Sequence, residues 1–263
     1  MTNETEPAVK IQHADGVGWI TLNRPAAINA INDAIRTGVP AALAAMDADD
    51  AIRVIVVQGS GPRGFCAGAD IKENKPVEGA IAARERLTRA PWIESFDRVS
   101  KPVIASIHGY CFGGGLEIAL ACDIRIACGD ARFALPETGL GLIPGGGGTQ
   151  RLPRLVGLAK ALDLLVTGDR IDAAEALRCG LITRLVAERG DLERETAELA
   201  KRIAARPAVA TRYAKEAARA SLDLSLRDGF RLERDLFSLL LSTEERLAAA
   251  AAFRDKAGGK PAE

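Results

Sequence analysis

Short β-branched runs alternate with helical patterns along the first half of the chain, and this alternation restricts the possible folds strongly. The runs at 54–57, 102–107 and 123–127 have the length and composition of buried strands. Helical patterns separate them, near 78–97 and again after the glycines at 113–115. A strand that is followed by a helix and then by another strand is typical of α/β proteins. The pattern therefore predicts an α/β fold.

The chain opens with a predicted β-hairpin and a predicted helix. The runs at 8–12 and 17–22 flank the turn residues Ala14-Asp15-Gly16, as the two strands of a hairpin do. From about Asn29 to Met46, apolar residues recur at helical spacing. We expect one helix over that segment.

Beyond residue 148 the sequence becomes mostly helical. Apolar periodicity runs through several segments there, the last of which, 228–252, predicts a single helix. We place a boundary near residue 200, so that residues 1–200 form the core and residues 201–263 form a helical C-terminal region. That region is too small to be independent, and we expect it to pack on the main body or on a neighbouring subunit.

Composition excludes several classes of protein. The 35 Lys and Arg residues balance the 35 Asp and Glu residues, which gives no support to a nucleic-acid or membrane-surface partner. Five cysteines without a Cys-x-x-Cys pair, and only two histidines, argue against a disulfide framework and against a metal site. The chain has no secretion-signal pattern at its start and no apolar stretch of 18 residues, so we expect a soluble, cytoplasmic protein.

Glycine is concentrated in three stretches that follow strand-like runs or turns. They are GFCAGADIK (64–72), FGGGLE (112–117) and PETGLGLIPGGGGTQ (136–150). Tight turns explain any one of them alone, but explain all three together poorly. If the first two loops each end at a helix N-terminus, their free N–H groups point into one space and form an oxyanion hole.

Two carboxylates accompany these glycines. Glu117 falls in the first turn of the predicted glycine-led helix, where it faces the same space as Gly114 or is simply stabilised by the helix dipole. Glu137 follows Pro136 and is the only acid between Asp130 and Asp163. A pair of carboxylates in different environments can supply the acid and the base that addition of water requires.

These three stretches and their spacing closely resemble the enoyl-CoA hydratase/isomerase (crotonase) family. The resemblance runs from ITLNRPAAINAIN near the beginning to FRDK near the end. It implies a spiral of ββα units with a helical C-terminal region that builds trimers, often paired into hexamers.

The resemblance also implies the site and its reaction. The family's oxyanion donors fall on the N–H groups of Ala69 and Gly114, and its two hydratase acids fall on Glu117 and Glu137. Members that only isomerise or hydrolyse commonly lack one of these acids. Possession of both favours reversible syn addition of water to a 2-enoyl-CoA, with Glu117 activating the water and Glu137 protonating C2, or with these roles shared or exchanged.

For coenzyme A, the resemblance points to the backbone of Ala67 and Ala69 near the adenine and to Lys72 near the phosphates. Phe253 and Lys256, in FRDK, match the aromatic and the lysine that an adjacent subunit contributes in the family. A surface lysine at 72 and a core phenylalanine at 253 remain alternatives. The tail AGGKPAE departs from the basic, aromatic-ended segment found in many members. Coenzyme A enters as part of the substrate, and we expect no separate cofactor and no metal.

Other functions have less support in the sequence. The PGGGG run lacks the Lys-Ser/Thr of a phosphate loop, and Cys66 and His108 lack the partners of a nucleophilic site. Within the family, isomerisation, dehydration of a hydroxyacyl-CoA and hydration of a cyclic or branched enoyl-CoA remain alternatives. A non-catalytic protein that binds coenzyme A or RNA is a further alternative, against which the two retained acids argue.

Overall fold

The computed structural model describes residues 6–73, 78–89 and 92–258, without the side chains at 252, 253 and 255–258. The strands in that part are β1 (Val9–Ala14), β2 (Val17–Leu22), β3 (Val54–Gly59), β4 (Val103–Ile107), β5 (Tyr110–Phe112), β6 (Ile124–Cys128), β7 (Arg132–Ala134), β8 (Ile171–Asp172) and β9 (Arg184–Val186). The α-helices are α1 (Asp33–Ala48), α2 (Ala80–Arg89), α3 (Gly114–Ala121), α4 (Gly148–Val156), α5 (Leu158–Thr167), α6 (Ala173–Arg178), α7 (Arg189–Ala204), α8 (Ala208–Ala220), α9 (Leu226–Leu240) and α10 (Glu244–Gly258).

Six strands form the main sheet, in the order β1-β2-β3-β4-β6-β9. The pair β1·β2 is antiparallel, and the other pairs in this sheet are parallel. The hairpin predicted at the start is confirmed. Its turn residues Asp15 and Gly16 both have positive φ, 52° and 78°, as a two-residue turn that matches the strand twist requires.

Helices cover both faces of this sheet, which explains why its central strands are almost entirely apolar. All five residues of β4 and the first four of β3 are buried. On one face, α1 and α3 pack against alternate strand residues in the larger apolar cluster. On the other face, Leu192, Leu199 and Ala200 of α7 pack against residues of β2, β3, β4 and β6.

A second, small sheet holds the middle glycine stretch in place. It consists of β5, β7 and β8, with β5 parallel to β7. Just after β5, the N–H of Gly113 donates to the carbonyl of Ala134 at the end of β7, with a distance of 2.9 Å. This bond brings the chain before α3 close to the segment that leads into Glu137.

The first helix begins later than predicted. Residues 29–32 are not helical, because Ile28 and Asn29 adopt left-handed φ values of 51° and 55°, and Ile31 forms a bridge with Ala69. The buried Asn29 amide donates to the carbonyls of Ser60 and Gly64 instead of lying on a helix. The helix α1 starts at Asp33.

The segment 228–252, predicted as one helix, contains parts of two helices. Helix α9 ends at Leu240 and α10 begins at Glu244, where the Thr243 hydroxyl accepts a hydrogen bond from the Arg246 N–H. The boundary suggested near residue 200 lies within α7, which packs on the sheet. The division into two domains stays a prediction.

In the part of the chain that the structure describes, no helix is both long enough and apolar enough to cross a membrane. The five cysteines are all free. No group of three or more potential metal ligands forms among the described residues.

Candidate active site

The first two glycine stretches lie side by side. Cys66 and Cys111 form a parallel bridge. The Cys66 N–H donates to the Tyr110 carbonyl at 3.0 Å, and the Phe112 N–H donates to the Cys66 carbonyl, also at 3.0 Å. The two chain segments therefore run together up to the point where the predicted oxyanion donors begin.

The N–H groups of Ala69 and Gly114 are neighbours at this point. Gly68, with φ +96°, turns the first segment so closely past the second that a Cβ on it would lie 3.4 Å from the Gly114 nitrogen. A Cβ on Gly114 would lie 3.8 Å from the Ala69 nitrogen. Neither N–H donates a hydrogen bond to any residue that the structure describes. Two adjacent amides without protein acceptors are what an oxyanion requires.

Only one of these donors lies at a helix N-terminus, so the condition that both loops end at one is not met. Gly114 is the first residue of α3. Ala69 instead lies in an extended segment, because the Ile31 N–H donates to the Gly68 carbonyl and the Asp70 N–H donates to the Ile31 carbonyl. The salt bridge of 2.8 Å between Arg24 and Asp70 holds the same segment.

Glu117 is buried in the first turn of α3, and a separate loop binds its carboxylate. Its Oε1 accepts hydrogen bonds from the N–H groups of Gly146, at 2.6 Å, and Gly148, at 2.9 Å. Burial raises the pKa of Glu117, although these two bonds and the charge of Arg151 act in the opposite direction. Hydrogen bonds from a separate loop thus position the Glu117 carboxylate, so the helix dipole alone does not explain why a carboxylate is present here.

Glu137 is the first residue of a 3-10 turn that spans Glu137–Leu140. Among the described residues, its Oε2 is the one buried side-chain nitrogen or oxygen without a hydrogen-bond partner. A Cβ on Gly113 would lie 3.0 Å from Glu137 Oε1, so this carboxylate stands directly beside the donor segment. Burial, and the negative charge of Glu117, raise the pKa of Glu137.

The loop that binds Glu117 was not predicted from the sequence. Gly146 and Gly148 donate to the carboxylate, and Gly147 between them has φ +102°. The Arg151 guanidinium donates to the Gly146 carbonyl at 3.0 Å. The sequence signal for this loop is the PGGGG run at 144–148, which a comparison with phosphate loops alone does not reveal. Glycines permit an equally close approach of the backbone to a carboxylate.

Three of the residues predicted for coenzyme A lie in the first glycine stretch, and two lie on α10. The Ala67 N–H donates to the Ile28 carbonyl, whereas Ala69 is exposed and its N–H has no protein acceptor among the described residues. Lys72 is exposed, and its backbone N–H donates to Asp70. The side chains of Phe253 and Lys256 lie outside the described residues.

The side chains of Cys66 and His108 both form hydrogen bonds to backbone carbonyls. The Cys66 thiol donates to the Asn29 carbonyl, and burial raises its pKa to about 12, which is unsuited to a nucleophile. His108 Nε2 donates to the Gly61 carbonyl. Burial lowers the pKa of His108.

Comparisons with known proteins identify relatives over most of the chain. The family model for enoyl-CoA hydratase/isomerase matches residues 12–260. The "Probable enoyl-CoA hydratase" of Rhizobium meliloti is 47% identical over 240 residues, which cover 90% of this chain and 91% of that protein. The short-chain-enoyl-CoA hydratase of Clostridium acetobutylicum is 37% identical over 91% of this chain and 92% of that protein.

Solved structures show the same fold. The crystal structure of enoyl-CoA hydratase from Bacillus anthracis superposes with a TM-score of 0.89 at 36% identity, over 95% of this chain and 96% of that one. This likeness confirms the predicted crotonase-like fold. The match of the family model over nearly the whole sequence, together with these relatives, places the chain in the enoyl-CoA hydratase/isomerase family.

Proposed function

We propose that this protein is an enoyl-CoA hydratase, which adds water reversibly to the C2=C3 bond of a 2-enoyl-CoA thioester to give a 3-hydroxyacyl-CoA. The proposal depends on one observation: the adjacent backbone amides of Ala69 and Gly114 lie close to two carboxylates that have different environments. The amides suit the thioester oxygen, which gains negative charge as water attacks C3. The carboxylates suit the two proton transfers.

The surroundings of the two acids favour a division of roles. Burial raises the pKa of Glu117, but two backbone N–H groups and the charge of Arg151 favour its ionised form. In the proposed reaction Glu117 accepts the proton from water as the oxygen bonds to C3. The π electrons move to the thioester oxygen, held by Ala69 and Gly114. Glu137, which has a raised pKa and an unpaired oxygen, gives its proton to C2 as the enolate collapses.

The decisive experiment follows the loss of enoyl-thioester absorbance with crotonyl-CoA and identifies the product by mass. We expect 3-hydroxybutyryl-CoA, in a reaction that also runs backwards. A panel of 3-enoyl, branched and cyclic thioesters separates hydration from isomerisation and from the related hydrations. Binding of coenzyme A without turnover of any thioester would overturn the proposal and favour a binding protein.

We also propose that Ala67, Ala69 and Lys72 bind coenzyme A, completed by Phe253 and Lys256 of an adjacent subunit in a homotrimer or a dimer of trimers. Large apolar side chains exposed on α9 support assembly, since Phe230 and Phe237 are 51% and 62% exposed in the single chain. Light scattering is expected to give three or six times the 27.8 kDa of one chain. Lys256→Ala is expected to raise KM with little change in kcat.

The five free cysteines support a further proposal, a reducing and cytoplasmic setting. Cell fractionation with an antibody to the native protein tests it, and recovery in a secreted fraction contradicts it.

A further inference from the structure

Arg151 links the loop that binds Glu117 to the rest of the protein. The residue lies in α4, whose first residue is Gly148. One guanidinium nitrogen, Nη1, donates to the Gly146 carbonyl at 3.0 Å. The other, Nη2, donates to Asp97 Oδ2 at 2.6 Å. The same peptide segment that binds Glu117 through its N–H groups is therefore bound through a carbonyl by Arg151.

Asp97 connects this arginine to the far end of α3. Its other oxygen, Oδ1, accepts a hydrogen bond from Arg219 Nη1 of α8 at 3.1 Å. Arg219 Nη2 donates to the carbonyl of Ala121, the last residue of α3, at 2.9 Å. Helix α3 carries Gly114 and Glu117 in its first turn. One carboxylate thus joins the loop that binds Glu117 to the helix that carries Glu117.

From these contacts we infer that Arg151 is a positioning residue for hydration: it holds the Gly146 peptide so that the loop's N–H groups stay on one oxygen of Glu117, Oε1. The inference rests on the proposed function, because it concerns the base of that reaction. The other oxygen of Glu117, Oε2, accepts no hydrogen bond from the described residues and is the one left for water.

The glycine content of the loop explains why such a residue is needed. Gly145, Gly146, Gly147 and Gly148 are consecutive, and a run of glycines has many accessible backbone conformations. An N–H that moves by 1 Å no longer holds the carboxylate in place, and such displacements reduce rates by up to about 100-fold. A guanidinium binds two acceptors in a fixed geometry, which a lysine ammonium does not reproduce.

The charges that face Glu117 give the inference a second readout. Arg151 is the positive group that acts on it, and Glu137 is the negative group across the site. Loss of Arg151 removes a favourable charge and displaces two hydrogen bonds, and both changes disfavour the ionised carboxylate. The acidic limb of the pH profile should therefore move to higher pH.

The test compares Arg151→Met and Arg151→Lys with Arg154→Met, which removes an exposed arginine from the same helix. Among the described residues, the Arg154 guanidinium donates through Nη1 to the Gln150 carbonyl and to no other group. For Arg151→Met, we expect kcat for crotonyl-CoA to fall by about 10- to 100-fold, with KM changed by less than roughly threefold. The acidic limb should rise by about half to one pH unit. For Arg151→Lys, the acidic limb should stay close to its wild-type pH, and kcat should fall less than in Arg151→Met. Arg154→Met should match wild type in both.

A measurement independent of turnover accompanies the kinetics. Carbon-13 labelling of glutamate carboxyls, with Glu117 assigned from the Glu117→Gln variant, follows the titration of that group in wild type and in each arginine variant. An unchanged Glu117 titration in folded Arg151→Met overturns the inference even if the wild type hydrates nothing. An inactive wild type with a shifted titration overturns the proposed function but not the role of Arg151.

Discussion

The two carboxylates of the site lie in regions of contrasting construction. Glu117 projects from α3 and receives two backbone hydrogen bonds from a loop, and Arg151 binds that loop from the other side. Glu137 begins a single 3-10 turn, and its buried Oε2 has no partner among the described residues. Burial raises the pKa of both. The backbone donors that oppose this effect differ, since two N–H groups of a separate loop act on Glu117 and the residue's own N–H acts on Glu137. The contrast teaches that backbone donors from a separate loop, together with burial and the charge of a neighbouring carboxylate, can separate a base from an acid.

Replacing either acid by glutamine is expected to have the largest effect. Glu117→Gln and Glu137→Gln should each lower kcat for crotonyl-CoA hydration by at least about 100-fold, since each removes one proton transfer. Initial rates measure this, with circular dichroism to establish the fold. Glu188→Gln, which changes an exposed carboxylate just before α7, is the matched control. Activity close to wild type in either site variant removes that residue from the mechanism.

A reaction without water addition should separate the two acids. Exchange of a C2 proton of butyryl-CoA with deuterated solvent breaks only the C2–H bond, with the proton passing to Glu137 and the charge to the thioester oxygen. We expect Glu137→Gln to slow this exchange at least about tenfold more than Glu117→Gln does. Mass spectrometry of the recovered thioester provides the measurement. Equal losses in the two variants mean that the roles are shared.

Crowding the Glu137 region is expected to cost both stability and rate. Gly113 has φ +51° and ψ −126°, and a Cβ there would lie 3.0 Å from Glu137 Oε1. We expect Gly113→Ala to lower the free energy of unfolding by about 1 to 3 kcal/mol because of backbone strain. It should also reduce kcat by displacing the carboxylate.

Urea denaturation and initial rates test this substitution. Gly229→Ala, where a Cβ meets nothing within 4 Å, is the control and should retain wild-type activity. A fully stable Gly113→Ala protein would contradict the strain argument.

The smallest expected effect concerns stability and pH. The raised pKa of Glu137 means that the folded state holds this proton more tightly than the unfolded state does, so stability falls as pH rises through the folded-state value. Glu137→Gln should therefore be more stable than wild type at pH 8, by about 1 kcal/mol or roughly 2 to 4 °C in Tm. The difference should disappear below the ordinary glutamate pKa. Thermal melts at several pH values measure it, and a gain that persists in acid contradicts this cause.

Much of the fold was predictable from local patterns, and the misses have a physical cause. The hairpin and the buried strands follow from β-branched runs and a two-residue turn, which are local properties. The predicted start of α1 was wrong because the Asn29 side chain donates hydrogen bonds to carbonyls more than 30 residues away. The break between α9 and α10 has only a short polar signal, Ser242-Thr243, which apolar periodicity does not register.

The candidate site was predictable to the extent that its residues belong to recognisable sequence stretches. Ala69, Gly114, Glu117 and Glu137 were each named from such stretches, and the structure brings them together. The loop of Gly146 and Gly148, and the role of Arg151 behind it, were not named. Their function depends on which distant carboxylate the folded backbone approaches, and a single sequence does not contain that distance.

The amides of Ala69 and Gly114 belong to the main chain, and this has a consequence for how such an enzyme changes over generations. Almost any substitution at position 69 keeps the amide, since only proline lacks one. The oxyanion-binding part of the site is therefore insensitive to most mutations. A single base change, in contrast, can replace either acid or a neighbouring side chain and so remove or alter its function. New reactions on this fold should arise by substitution of the acids, while the two backbone hydrogen bonds to the thioester oxygen are retained.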